Sequence, residues 1–375
     1  MEDRCLASEL PSEILLEIFR HISRKRSLDT WEPCPPTPDA WSIARICRAW
    51  HGAATEALYH TVSIRTISSA YLFHRTILRR TKLCSCIKVL RLPVDPSVTC
   101  PAPVMTMFTR IVNSMESLIA LYAPIIQVSS KLQLNERTVR TILPISVAKH
   151  PHLSYLSLTT APIHLDSLHP QLSAFHDLRY LELGSLLLDR VPDPAMTPPL
   201  AKLEAIDTDD KNISFMDDWL LACPSLTTIF IVCYRSAGPV PKVITSGKIR
   251  HIGIKSCAHW SHTPKGWLPV CTSLRILEVP LTFLDYHIDY MPLILDELRL
   301  VTPQNACIRP SLLEEYMSRM PSIGDLVFVF LDSNRLFFEH RYAYERICKA
   351  HGVQVSFDTL LTYPSGTPPR HSPTR

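Results

Sequence analysis

The sequence predicts an α/β protein: an N-terminal helical hairpin, then a curved solenoid of stacked strand-and-helix units with a parallel sheet on the concave face. This rests on two observations. Two amphipathic segments lie within the first 66 residues. From residue 87 onward one short pattern recurs: apolar, two residues, apolar, one residue, apolar. Glycine is scarce, with 9 residues against 32 prolines, so the chain lacks the material for most phosphate-cradling loops.

The first helix begins at Pro11, whose missing N–H is no loss in an opening turn. Glu13 falls in that turn, where a carboxylate favours the positive end of the helix dipole. Ile14, Leu15, Ile18, Phe19 and Ile22 then form one apolar stripe, with Glu13, Glu17 and Arg20 on the other face. A second helix is expected from about Asp39 to Tyr59, with Ile43, Ile46, Cys47, Trp50, Ala54 and Leu58 on one side. Between them, Ser23 to Asp39 includes Trp31-Glu32-Pro33-Cys34-Pro35-Pro36-Thr37-Pro38, which cannot be helical through its prolines. Two such helices could pack as an ordinary hairpin. A hairpin this small has too little core to stand alone, so burying its stripe against a partner helix is physically reasonable.

The joint pattern is more specific. Leu10-Pro11 is followed by Ile14-Leu15 and Ile18-Phe19, then by Ile46-Cys47-Arg48 and Trp50, then by Leu58-Tyr59. That succession resembles an F-box, and the insert at about 24–39, longer than the usual connection, is similar to the basidiomycete-type F-box-like family. The resemblance implies that Leu10, Pro11, Ile14, Leu15, Ile18 and Phe19, joined by Ile46, Cys47 and Trp50, face Skp1. It implies a substrate-recognition subunit of an SCF-type ubiquitin ligase, with a cullin and a RING protein reached through Skp1. A leucine-rich scaffold or adaptor without a ubiquitin-ligase role is the alternative.

The recurring pattern appears as Ile87-Leu90-Leu92, Leu153-Leu156-Leu158, Leu178-Leu181-Leu183 and Leu226-Ile229-Ile231. It continues as Ile249-Ile252-Ile254, Leu274-Leu277-Val279, Leu295-Leu298-Leu300 and Ile323-Leu326-Phe328, with weaker versions starting at Leu118 and Leu200. Successive starts lie 21 to 35 residues apart and the central ones 21 to 26, inside the leucine-rich-repeat range. Lead-ins such as His150-Pro151-His152 and Cys223-Pro224-Ser225 close a helix-like stretch and open a strand. Residues 215–221 and 312–317 have helical periodicity, Phe337 to Lys349 reads as a capping helix, and 353–357 reads as a last strand. The organisation expected is therefore a box at 1–66, a degenerate repeat solenoid at 67–361, and a Pro/Ser/Thr-rich disordered tail at 362–375.

Residues between the inward apolar positions of such strands point to the concave surface. The candidate target-binding residues are thus Arg91, Tyr155, Tyr180, Glu182, Phe230, His251, Glu278 and Arg299, a mixed aromatic and charged lining suited to protein. Asp207, Asp209 and Asp210 read as a solvated loop after the Leu200 strand. Arg75, Arg79, Arg80, Lys82, Lys88 and Arg91 form a basic run, either the solvated face of a connecting helix or a contact for a phosphate or acidic peptide.

A net charge of +4 gives little reason to invoke nucleic acid or membrane. Met1-Glu2-Asp3-Arg4 does not read as a secretory signal, and no apolar run reaches the roughly 18 residues of a membrane span. Twelve cysteines are too dilute for a disulfide scaffold, and Cys47, Cys223 and Cys348 sit at apolar positions, which fits a reducing cytoplasm or nucleus. Cys257, His259, His262 and Cys271 lack structural-zinc spacing, and no nucleophile-elbow, Walker, Rossmann or zinc-protease motif is present. The sequence points to a binding protein with no enzyme activity, metal or cofactor of its own.

Overall fold

A computed structural model describes residues 10–27, 45, 48–92, 102–123, 126–127, 140–141, 150–158, 163–164, 172, 175–184, 186–187, 199–233, 240–257, 266–284, 291–292, 294–302, 308–319, 322–330 and 335–359. The chain divides into two compact units, Met1–Ala161 and Pro162–Leu361.

The first unit opens with the helices Ser12–Ser27 and Arg48–His60, which pack on each other. The first helix runs four residues past the expected start of the interruption, and the second begins later than expected, with Arg45 in a turn. His60 leads directly into strand β1 (Thr61–Ser63). The helices Ile67–Arg79 and Lys82–Cys86 follow, then β2 (Val89–Arg91), the helix Ala102–Asn113, β3 (Ala120–Tyr122), the short antiparallel pair β4 (Ile126–Gln127) and β5 (Arg140–Thr141), and β6 (Tyr155–Leu158). Strands β1, β2, β3 and β6 pair in that order, all parallel. Because β1 is already a ladder strand, the box and the repeats share an element inside the expected 1–66 segment, with no linker between them.

The second unit holds β7 (Ile163–His164), β8 (Tyr180–Leu183), β9 (Leu186–Leu187), β10 (Ala205–Asp209), β11 (Thr228–Cys233), β12 (His251–Cys257), β13 (Ile276–Pro280), β14 (Ile294–Thr302), β15 (Ser322–Phe330) and β16 (Gln354–Thr359). The ladder runs β8, β10, β11, β12, β13, β14, β15, β16, parallel throughout, and β7 pairs with β9 beside it. Parallel neighbours need a crossover, and the turns here carry short helices: Asp210–Phe215, Asp217–Ala222, Lys242–Thr245, Trp267–Val270 and Pro310–Arg319.

Register explains why the pattern works. In the second unit Leu181, Ile206, Ile229, Ile252, Leu277, Leu298 and Leu326 stand side by side on successive strands, all buried. Leu90, Leu121 and Leu156 do the same in the first. Each fully buried side chain contributes about 1.5–3 kcal/mol, and it does so only because a neighbouring unit covers it. A fourth buried position precedes six of the strands. Met115, His150, Phe175, Leu200, Cys223 and Cys271 are buried, and each carbonyl accepts from the backbone N–H three residues on, at 3.1 to 3.4 Å. This corrects one frame: Leu200 is a lead-in residue, and the strand frame is Leu203, Ile206 and Thr208.

Thr208 stands where other units carry an aliphatic residue, and Asn212 satisfies it. The Asn212 amide donates to Thr208 Oγ1 at 2.8 Å and to the Gly184 carbonyl at 2.9 Å. Its backbone N–H donates to the N-cap carboxylate of Asp209 at 2.7 Å. Adjacent turns are also stitched together. Asp217 accepts from the N–H groups of Lys242 and Val243 at 2.6 and 2.7 Å, capping the next helix start. Lys248 in return donates to the carbonyls of Leu221 and Cys223 at the end of Asp217–Ala222. The expected cap helix spans Arg335–Ala350, and Tyr344 stacks on Phe328 at 5.2 Å, with Phe357 of β16 on the same ring at 5.8 Å. Residues 362–375, the expected tail, lie outside the described residues. Cys84, Cys223, Cys271 and Cys348 are free and buried, and burial pushes the Cys271 and Cys348 thiols up to about 11.

Asn212→Ala leaves the part-buried Gly184 carbonyl and the buried Thr208 hydroxyl without this donor and is expected to cost about 1–3 kcal/mol in urea unfolding. Asn212→Asp is expected to cost more, because it aims an acceptor at a carbonyl oxygen.

Candidate functional site

The N-terminal hairpin is built from Pro11 upward. Its carbonyl accepts from the N–H groups of Ile14 and Leu15 at 3.1 Å, so the first turn starts on the proline. Leu15 and Phe19 are buried against Ala53, Ala54 and Ala57, with Leu16 and Trp50 packed at the margin. Three alanines let the helices approach closely, and the Phe19 and Trp50 rings lie 5.5 Å apart. Leu10, Ile14 and Ile18, one turn apart, remain exposed at 39%, 50% and 42%.

The single stripe expected from the sequence is therefore two. Leu15 and Phe19, at 3% and 4% exposure, serve the hairpin's own core and do not present themselves to a partner. Leu10, Pro11, Ile14 and Ile18 face outward, and Ile46 and Cys47 lie outside the described residues. Residues one apart differ by about 100° around a helix, enough to send Ile14 and Leu15 to different surroundings.

On the ladder face of the first unit, the Arg91 guanidinium lies over the Tyr122 ring at 4.8 Å, and Tyr122 contacts Tyr155 at 4.9 Å. Arg91 and Tyr122 are half-buried, whereas Tyr155 is 1% exposed and supports this surface from beneath.

The second unit carries the denser arrangement. Glu182, Asp207, Phe230, Gly253, Glu278 and Arg299 form one register row across β8 to β14, with Tyr180 and His251 one step earlier on the same face. Asp207 is 3% exposed in the middle of a strand, which corrects its reading as a solvated loop residue; Asp209 is buried too. Tyr180 donates its hydroxyl to Asp207 at 3.0 Å, and the Lys255 ammonium pairs with the same carboxylate. Burial pushes the Asp207 carboxyl up, Lys255 pulls it down, and Glu182 adds to the rise. Burial works against the Lys255 ammonium, but Asp207, Glu182 and Glu278 together overcome it and raise its pKa.

Phe230 lies beneath this pair, 5.7 Å from the Lys255 ammonium, in contact with Tyr180 at 6.3 Å and His251 at 5.2 Å. It can lie there because residue 253 is glycine: a Cβ at that position would sit 2.3 Å from the ring. Arg299 is held between Glu297 and Glu278. Of the expected contact residues, Phe230, His251 and Glu278 are buried with Tyr155, while Arg91, Tyr180, Glu182 and Arg299 keep partial access.

Sequence reading missed Asp207, Lys255 and Gly253. Starting the frame at Leu203 would have placed Asp207 between Glu182 and Phe230. Lys255 has no such signal, because a shift in register between Ile231 and Val232 displaces it. Among the described residues no group of three His, Cys, Asp or Glu side chains is arranged to hold a metal ion.

Residues 7–65 match the family described as F-box-like, so the chain carries an F-box-like domain ahead of a ladder of leucine-rich-repeat strands, an architecture for protein interaction. Among solved structures, the chain is similar to the leucine-rich repeat-containing protein LegL7 from Legionella pneumophila, at 12% identity and a TM-score of 0.44, covering 74% of this chain and 92% of that one. At that level the likeness adds nothing further, and the repeat architecture rests on the chain's own strands. No curated protein sequence matches.

A carboxyl with a higher pKa in the folded than in the unfolded chain favours folding at low pH, a contribution lost as pH rises through the folded value. Lys255→Met removes the cation that offsets Asp207 ionisation. Its stability deficit is expected to be small near pH 4 and to grow to about 1–2 kcal/mol at neutral pH, the lower range for a broken pair because the ammonium is partly solvated. Urea unfolding of both proteins across that range measures it, and a pH-independent deficit would contradict the pairing.

Proposed function

We propose that this protein is the substrate-recognition subunit of an SCF-type ubiquitin ligase, docking on Skp1 through the hairpin and holding a protein target on the ladder faces. One observation carries the reading. Within the F-box-like segment, Leu10, Ile14 and Ile18 remain exposed one turn apart at the start and along the first helix, while Leu15 and Phe19 of the same helix are already satisfied internally. An exposed aliphatic row on a helix suits insertion into a groove on a helical partner. Skp1 would link the chain to a cullin and a RING protein, and ubiquitin transfer would occur on those partners.

In this reading the chain works by proximity. The hairpin fixes it to the ligase, the ladder fixes the target, and the effective concentration of target lysines near the charged carrier enzyme rises. The half-exposed Arg91, Tyr180, Glu182 and Arg299 are the contact candidates, and the buried Tyr155, Asp207, Phe230 and Glu278 hold them in place. No catalytic group is assigned to this chain, and a cytoplasmic or nuclear location belongs to the same proposal.

Co-expression with Skp1 tests it. Wild-type protein is expected to retain Skp1 through purification, and Ile14→Asp with Ile18→Asp to weaken retention at least about tenfold without lowering the melting temperature, since a desolvated charge opposes docking and not folding. Leu15→Ala is expected instead to destabilise the hairpin by about 2–5 kcal/mol. Wild-type protein that fails to hold Skp1 would sink the ligase reading and leave the scaffold one.

A further inference from the structure

The helix Ile67–Arg79 turns the wrong side outward. Its inner face buries Ala70 and Ile77, while Tyr71, Leu72 and Leu78 stand 51%, 57% and 66% exposed. Arg75 is at the centre of that outer face, with Tyr71 and Leu72 one turn before it and Leu78 and Arg79 one turn after. Arg80 and Lys82 extend the positive charge past the helix end, and the helix itself contains no acidic residue.

Two further facts bear on what this face can bind. The side chains of Arg75, Arg79, Arg80 and Lys82 enter no ion pair among the described residues, whereas Arg179, Lys202, Lys242, Lys255, Arg275 and Arg299 are each paired with a carboxylate. The helix is also fixed without help. Thr66 and Ser69 form a reciprocal capping box, with Ser69 N–H donating to Thr66 Oγ1 at 3.1 Å and Thr66 N–H to Ser69 Oγ at 3.0 Å. The backbone of the face is therefore preformed, which removes the cost of folding the helix on docking.

We infer that the outer face of helix Ile67–Arg79 docks an acidic, amphipathic helical segment of a protein partner. The charge complement of a helix face that carries Arg75 and Arg79 and no acidic residue of its own is a segment rich in Asp or Glu. The arrangement favours protein over a lipid surface. A membrane-lying helix has apolar residues at the centre of its stripe and cations along the flanks. Here the order is reversed: a central guanidinium is ringed by Tyr71, Leu72 and Leu78, which can shield an arginine–carboxylate pair from water as hot-spot contacts do. This surface does not depend on the Skp1 reading, since it shares none of Leu10, Ile14 or Ile18.

The test uses the full chain, with Skp1 where it is retained and alone where it is not, and a labelled synthetic helix carrying Glu and Leu one turn apart, with a copy in which Lys replaces Glu as control. The acidic peptide is expected to bind in a salt-sensitive manner and the Lys peptide at least about tenfold more weakly. Arg75→Glu with Arg79→Glu is expected to reverse that preference while the melting temperature and Skp1 retention stay unchanged. Leu72→Ser with Leu78→Ser is expected to weaken both peptides. Equal binding of the two peptides to wild type would overturn the inference, as would retention on phosphatidylserine vesicles without peptide binding. Loss of Skp1 in the double glutamate variant would overturn it as a separate surface.

Discussion

A strand with apolar residues on one face cannot remove them from water by itself, and every other feature of this protein follows from how that burial is achieved. Leu181, Ile206, Ile229, Ile252, Leu277, Leu298 and Leu326 are each buried because the same position in the next unit stands beside them in register. Side-by-side stacking leaves the alternate positions facing the other way, where they pack among themselves and not into the aliphatic core. Those positions carry the tyrosines, carboxylates and cations. The terminal units meet the same constraint differently: Tyr344 and Phe357 cover Phe328 where no further repeat does.

Much of this was legible in the sequence because spacing is a one-dimensional signal. The frames from Ile87, Leu118, Leu153, Leu178, Leu226, Ile249, Leu274, Leu295 and Ile323 all coincide with buried strand positions. Leu200 misled because two leucines stand three apart and either can open the pattern. The turn bond from Leu203 N–H to the Leu200 carbonyl decides between them. That frame also decides Asp207, which is polar in composition and buried in fact. In the hairpin, apolar periodicity located the helix but could not divide its stripe. The division depends on Ala53, Ala54 and Ala57, small residues whose pairing with Leu15 and Phe19 is set by the approach of a second helix.

The ladder face of the second unit shows how a polar surface can be made rigid. Lys255 reaches across the one intervening strand to Asp207, over Phe230, and Gly253 is the gap that admits the ring. Tyr180 ties its hydroxyl to the same carboxylate. Buried charges of this kind contribute little net stability, but once paired they permit few alternative arrangements. Half-exposed residues above them, such as Tyr180 and Glu182, are held in position before any contact is made, which lowers the entropy a binding event must overcome.

The junction at His60 has a mechanical meaning. The last carbonyl of the helix Arg48–His60 accepts from Lys88 N–H at 3.0 Å, and the next residue is already paired with Val89. There is no free rotation between the hairpin and the first strand, so a torque applied to the hairpin is resisted as shear along a row of parallel hydrogen bonds. The joint behaves as a stiff bracket, and the angle at which the hairpin is gripped is inherited by the strands that follow.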